Sequence, residues 1–103
     1  MITLSVHSQS QGEMNHTSLT DFENSDKRLN AVYAKILSSL DEEGKAKLKV
    51  SERAWLAYRE AQARFEADVI ARGGTMAPLI YNECRAALTN DRVKELQKSV
   101  SVR

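Results

Sequence analysis

This 103-residue sequence is poor in residues that break a chain or staple it. One proline and four glycines are too few for the tight turns of a small β-sandwich or barrel, so the composition predicts helix. The single cysteine, Cys84, excludes an intrachain disulfide. Two histidines and one cysteine leave little for a His/Cys metal site, and no metal or cofactor is expected. A charge excess is missing too: 15 Lys and Arg face 14 Asp and Glu, for a net charge of +1. That near-balance lacks the basic surplus of a nucleic-acid binder and the acidic run of a polyanionic tail. The longest apolar stretches are a few residues, against the roughly 20 of a membrane span. Met1 to Gly12 shows neither the basic start nor the apolar centre of a signal peptide, so a soluble chain with no visible address is expected.

What is present is helical periodicity. Residues 1–12 are rich in Ser, Gln and Thr without a sustained period and read as a flexible lead-in to a single helical domain over 13–103. Glu13 to Phe22 has room for a short helix. From Ser25, a plausible N-cap, Leu29, Val32, Tyr33, Ile36, Leu37 and Leu40 form one stripe at i, i+3, i+4, i+7, i+8 and i+11. The first helix is therefore expected over about 25–39. Asp41 caps the second, whose apolar face reads Leu48, Trp55, Tyr58, Phe65 and Val69, widened by Ala54, Ala57 and Ala61. Arg72-Gly73-Gly74 stops it, because glycine takes the left-handed helix end without strain. A third helix starts at Thr75 with Pro78 in its first turn. Its inward face is Ile80, Tyr81, Cys84, Ala87, Leu88, Leu96 and Val100, and Thr89-Asn90-Asp91 is a weak helical tripeptide that bends or loosens its middle. Short connections make this an all-α antiparallel three-helix bundle with a long second helix.

Catalytic groups are scarce. His7 and His16 lie in or near the lead-in, Gly73-Gly74 lacks the lysine and spacing of a phosphate loop, and adjacent Glu42 and Glu43 diverge on a helix. No enzyme activity is expected from this set. Lys45, Lys47 and Lys49 spread over a solvated arc and make no phosphate track. Trp55, Tyr58 and Arg59 share a helical face at i, i+3 and i+4, which suits either a core anchor or a partner-binding surface. Arg92 sits beside the stripe between Leu88 and Leu96 and needs an acid on another helix.

Several motifs occur in a specific order. They are Glu13-Met14-Asn15, Leu29-Asn30-x-x-Tyr33, Leu40-Asp41-x-Glu43 and Trp55-x-x-Tyr58-Arg59, then Gly73-Gly74-Thr75-x-x-Pro78, Cys84 and Thr89-x-x-Arg92-x-x-x-Leu96. Over about residues 13–98 this set resembles the LprI-type lysozyme-inhibitor family, small helical proteins of the bacterial envelope. The resemblance implies a periplasmic or secreted, non-catalytic protein whose partner is a protein, such as a lysozyme. It also implies cysteines at Thr17 and Ala63 besides Cys84, with another further upstream, and the sequence departs from the family there. Missing disulfides suit a reducing compartment, which leaves a cytoplasmic location open. Two surfaces are candidates for a partner: the Arg72-Gly73-Gly74-Thr75-Met76 turn, which also reads as an ordinary interhelix turn, and the exposed part of the Trp55/Tyr58/Arg59 cluster. Tyr33, Tyr81, Cys84 and Arg92 read as structural motif residues. The alternative function is a helical interaction or immunity-like module without lysozyme inhibition, and self-association is compatible with either.

Overall fold

Ser10 sets where the first helix begins. The computed structural model describes residues 9–101, and α1 spans Gln11–Ser39. The Ser10 side chain accepts a hydrogen bond from the Glu13 N–H at 3.0 Å, and the Glu13 carboxylate accepts one from the Ser10 N–H at 2.9 Å. This reciprocal capping box satisfies helix-end donors that would otherwise be orphaned. The helix therefore starts well before the expected Ser25. Of the lead-in expected over 1–12, residues 1–8 lie outside the described residues, and Gln11 and Gly12 are helical. Ser25 is instead buried mid-helix, its hydroxyl donating to the Asp21 carbonyl at 3.0 Å. The inward stripe of this half is Ser18, Phe22, Ser25 and Leu29. Its helical spacing is regular, but two of its members are small and polar, so hydrophobic periodicity does not register it.

The other two helices are α2, Glu42–Ala71, and α3, Ala77–Ser101. Asp41 caps α2 as its sequence suggests, accepting from the Gly44 N–H at 2.8 Å. A Cβ on Gly44 would lie 3.1 Å from the Asp41 carboxylate and 3.2 Å from Leu40, so glycine keeps the two-residue turn tight. At the far end, Gly73 takes φ +65 and the Gly74 N–H returns to the Ala71 carbonyl at 2.8 Å, closing the helix. Thr89-Asn90-Asp91 runs inside a continuous helix and does not interrupt it. Thr89 is fully buried and donates its hydroxyl to the Arg85 carbonyl at 2.7 Å, a bond that accommodates a poor helix former.

Cross-helix pairs fix the topology. Ser18 meets Asn82 and Arg28 meets Asn90, so α1 and α3 run parallel. Glu52 meets Arg92, Arg59 meets Thr89 and Glu66 meets Cys84, so α2 runs against α3. This is the up-down-up bundle, with α3 packed against both α1 and α2 while those two touch each other little. The Cα atoms span 60 × 30 × 18 Å. Leu29, Ile36 and Leu96 form the buried apolar cluster, flanked by Val32, Leu40, Leu48, Trp55, Val93 and Val100.

The inward face of α2 differs from its apolar pattern. Tyr58, Phe65 and Val69 are 51%, 61% and 65% exposed, and Ala54, Ala57 and Ala61 face solvent with them. Glu52, Arg59, Ala63 and Ala67 are the buried residues. On α3, Ala87 is likewise exposed. The reason on α2 is electrostatic: Glu52 and Arg59, two turns apart, both have partners on neighbouring helices, and turning them inward rotates the larger apolar arc outward.

Leu29→Ala is expected to lower unfolding free energy by about 3 kcal/mol through the cavity it leaves, and Ser10→Ala by about 1 kcal/mol through loss of the cap. Urea unfolding followed by circular dichroism reads both.

Candidate functional site

A spine of paired guanidinium groups runs between the helices. Arg92 donates through Nε to Glu52 at 3.0 Å, through Nη1 to Glu95 at 2.8 Å and through Nη2 to Ser51 at 3.2 Å. The Arg92 and Glu52 side chains are 8% and 9% exposed, so this is a buried ion pair, and it supplies the acid that a charge on that stripe requires. One layer along, Arg59 donates to Asp26 of α1 at 2.9 Å, to Glu60 at 2.9 Å and to Thr89 at 3.3 Å. The half-buried Trp55 ring lies between the two, 5.3 Å from the Arg59 guanidinium and 5.5 Å from that of Arg92. A third arginine, Arg85, rests on the faces of Phe22 and Tyr81, at 3.7 and 4.3 Å from the ring centroids. It also donates to Asn82 at 2.7 Å and lies 3.6 Å from Glu60.

The Trp55, Tyr58 and Arg59 motif is thus divided. Trp55 and Arg59 belong to the spine, whereas Tyr58 points to solvent three residues from one and one residue from the other. Tyr81 is half-buried, and its hydroxyl donates to Glu60 at 2.5 Å. Tyr33 is half-buried in a groove of about 490 Å³ shared with Leu37, Glu52, Arg53 and Leu56. Spine members that the sequence pattern does not mark are Phe22, Asp26, Glu52, Glu60, Asn82 and Arg85. For Glu52 and Arg85 the signal is charge at heptad spacing, from Arg59 on α2 and from Arg92 on α3.

Titration of the spine follows from these contacts. Burial raises the Glu60 carboxyl, but hydrogen bonds from Tyr81 and Arg59 outweigh it and leave the group below its ordinary range. Burial, then the bond to Glu60, raises Tyr81. Cys84 is a half-buried free thiol that donates to Glu66 at 3.2 Å. Burial and that carboxylate push it from 9.0 up to about 11. His7 lies outside the described residues, and His16 is exposed on α1. Among the described residues no three His, Cys, Asp or Glu side chains gather to hold a metal ion.

The other candidate surface is the turn from α2 to α3. Arg72, Gly73, Gly74, Thr75 and Met76 are all exposed. Arg72 makes a bidentate pair with Asp68, at 3.0 and 2.7 Å, with the Arg72 side chain 81% exposed. Beside it opens a groove of about 450 Å³ whose walls include Arg64, Ala67, Pro78 and Tyr81. Val69, Ile70 and Met76 add exposed apolar surface at this end. The turn therefore offers a solvated cation, a backbone bare of side chains at two positions, and apolar surroundings.

Two outcomes test the spine. Glu52→Ala leaves the buried Arg92 guanidinium with only the largely exposed Glu95 as its acid and is expected to cost about 3 kcal/mol, while the double change Glu52→Leu, Arg92→Met recovers most of it; urea titrations of the parent and the two variants measure this. The raised Cys84 and lowered Glu60 give opposite pH limits. The Cys84 contribution is full below pH 9.0 and is lost as pH rises through about 11, and that of Glu60 is full above 4.5 and lost as pH falls below it. At pH 8 the thiolate is about a hundredfold scarcer than in the unfolded chain, and alkylation should be slower in that proportion.

A family model described as lysozyme inhibitor LprI matches residues 5–96. An uncharacterised protein of Rhizobium meliloti (strain 1021) is 30% identical over 102 residues, covering 86% of this chain and 73% of that protein. No solved structure matches. With the family model extending over most of its length, the chain belongs to the LprI lysozyme-inhibitor family.

Proposed function

We propose that this chain is a non-catalytic binding protein that blocks a lysozyme or a related cell-wall hydrolase, acting in the periplasm or outside the cell. Family membership supports the class of activity and the compartment. No described helix is long and apolar enough to cross a membrane. The observation that carries the choice of surface is the contrast among the arginines. Arg59 and Arg92 of the family-like motifs spend their donors inside the bundle, whereas Arg72 stands at a bare turn with one surface partner.

The chemistry fits a muramidase cleft. Such clefts hold two carboxyl groups flanking the scissile bond, and a guanidinium binds a carboxylate bidentately. Gly73 and Gly74 carry no side chains to hold the backbone away from the cleft walls. The Asp68–Arg72 pair is exposed, and pairs of that kind contribute only about 0–1 kcal/mol, so exchanging Asp68 for a carboxylate of the target costs little. Thr75 and Met76 continue the same tip, and Tyr58 lies further along the outer side of α2.

Turbidity loss of a peptidoglycan suspension, measured against several lysozyme classes, tests the reading. Inhibition at micromolar protein is expected for one class at least. Arg72→Ala should weaken it about tenfold or more with the helical fold intact, and Asp68→Asn, which frees Arg72, should preserve it. Absence of inhibition for every class overturns the function, and full inhibition by a folded Arg72→Ala variant overturns the surface.

A further inference from the structure

Among the described residues, the outer side of α2 is an apolar face without a partner. Val50, Tyr58, Phe65 and Val69 are 62%, 51%, 61% and 65% exposed, and the exposed Ala54, Ala57 and Ala61 fill the space between them. Exposed apolar surface of this extent along one helix marks an interaction site. The charges at its two ends identify the occupant. At the N-terminal end Glu43 and Lys47 form an i,i+4 pair, 3.3 Å apart. At the C-terminal end Asp68 and Arg72 form another, 2.7 Å apart. Twenty-nine residues separate Glu43 from Arg72, close to eight turns at 3.6 residues per turn, so all four charges share the face that carries the apolar stripe.

The arrangement is symmetric about the point between Ala57 and Tyr58. Glu43 and Arg72 lie equally far from it, as do Lys47 and Asp68, Val50 and Phe65, and Ala54 and Ala61. Each of the outer pairs joins opposite charges, and each of the inner pairs joins apolar side chains. A surface of this kind is complementary to itself when turned through a two-fold axis. We propose that α2 is the interface of a homodimer, with the α2 helices of two copies packed antiparallel about that point. Glu43 then meets the second copy's Arg72, and Lys47 meets its Asp68. Val50 packs on the second copy's Phe65, and the alanines at the centre let the helices approach closely. In a parallel pairing Lys47 would lie beside another Lys47 and Arg72 beside another Arg72, and like charges in register disfavour it.

This inference does not rest on the inhibitor reading, because association and lysis are separate measurements; Arg72 takes part in both, so the dimer and a lysozyme complex exclude each other at that end of α2. Sedimentation equilibrium of the full chain tests it. A dimer is expected at protein concentrations up to about 1 mM, the range in which weak specific association is detectable. Lys47→Glu, which faces Asp68 with a second acid, should weaken association about tenfold. Lys47→Glu combined with Asp68→Lys reverses the contact and should restore it to within about threefold. Ala61→Arg, at an exposed position away from the turn, should abolish the dimer while circular dichroism shows an unchanged helical fold. A chain that stays monomeric at 1 mM, or a dimer that Ala61→Arg leaves intact, overturns this interface. Failure of the double reversal to recover association overturns the antiparallel register.

Discussion

A guanidinium enclosed between helices needs a carboxylate to match its charge, and the Arg92–Glu52 pair is the strictest case in this protein. Moving both charges out of water is expensive, and the pair recovers that cost only while its geometry holds. It therefore acts more as a constraint than as a source of stability. Glu52 must turn toward α3, and Arg59, two turns further along, must turn the same way to reach Asp26 and Thr89. With both fixed, the rotation of α2 about its own axis is set. Trp55, between the two arginines, is held by its ring faces as well as by packing. Phe22 is placed by the same logic, with Arg59 at 4.8 Å on one contact and Arg85 at 3.7 Å on another.

That rotation determines what the outside of the protein offers. If α2 had buried its most apolar arc, Tyr58, Phe65 and Val69 would lie in the core and two charges would need solvent. The opposite choice leaves the apolar arc available to a partner and takes Arg59 and Arg92 away from any surface. The family-like motif around Trp55 thus serves mainly to hold the bundle together. Under the proposed function and interface, recognition falls to parts of the chain that the spine does not use, namely the outer side of α2 and the Arg72 to Met76 turn.

The fold was readable from the sequence where apolar spacing and end signals agree. The stripe from Leu29 to Leu40, the Asp41 cap and the stop at Gly73 need only local rules, and the structure follows them. Two things escaped local rules. The first half of α1 buries Ser18 and Ser25, whose small volume suits close helix contact although their polarity hides them from a hydrophobic pattern. The inward face of α2 depends on charges whose partners lie 30 or more residues away, at Asp26, Thr89 and Arg92. The candidate site divides in the same way. A glycine turn carrying an arginine is a local feature, so Arg72 and Gly73 were legible. Which members of the Trp55, Tyr58 and Arg59 group face outward is a long-range question, and a single helical wheel does not answer it.

The same spine bears on the family's missing cysteines. A disulfide stabilises mainly by restricting the unfolded chain, so a protein without one needs compensating interactions in the folded state. At Ala63, where the family resemblance implies a cysteine, the side chain is fully buried, leaving a small, closely packed contact. Cys84 donates its thiol to Glu66, one helical turn beyond Ala63, so α2 and α3 are joined at this level by a hydrogen bond. Tyr81, three residues before Cys84, and Arg85, the residue after it, both reach Glu60. Carboxylates of α2 thus meet a phenol, a thiol and a guanidinium of α3 along the stretch where a covalent link would lie. Unlike a covalent staple, these contacts stabilise only the folded state, and they depend on Glu60 and Glu66 keeping their charge. Hydrogen bonds from Tyr81 and Arg59 to Glu60, and from Gln62 and Cys84 to Glu66, hold both carboxyls below their ordinary range, which preserves that charge as the solution turns acidic.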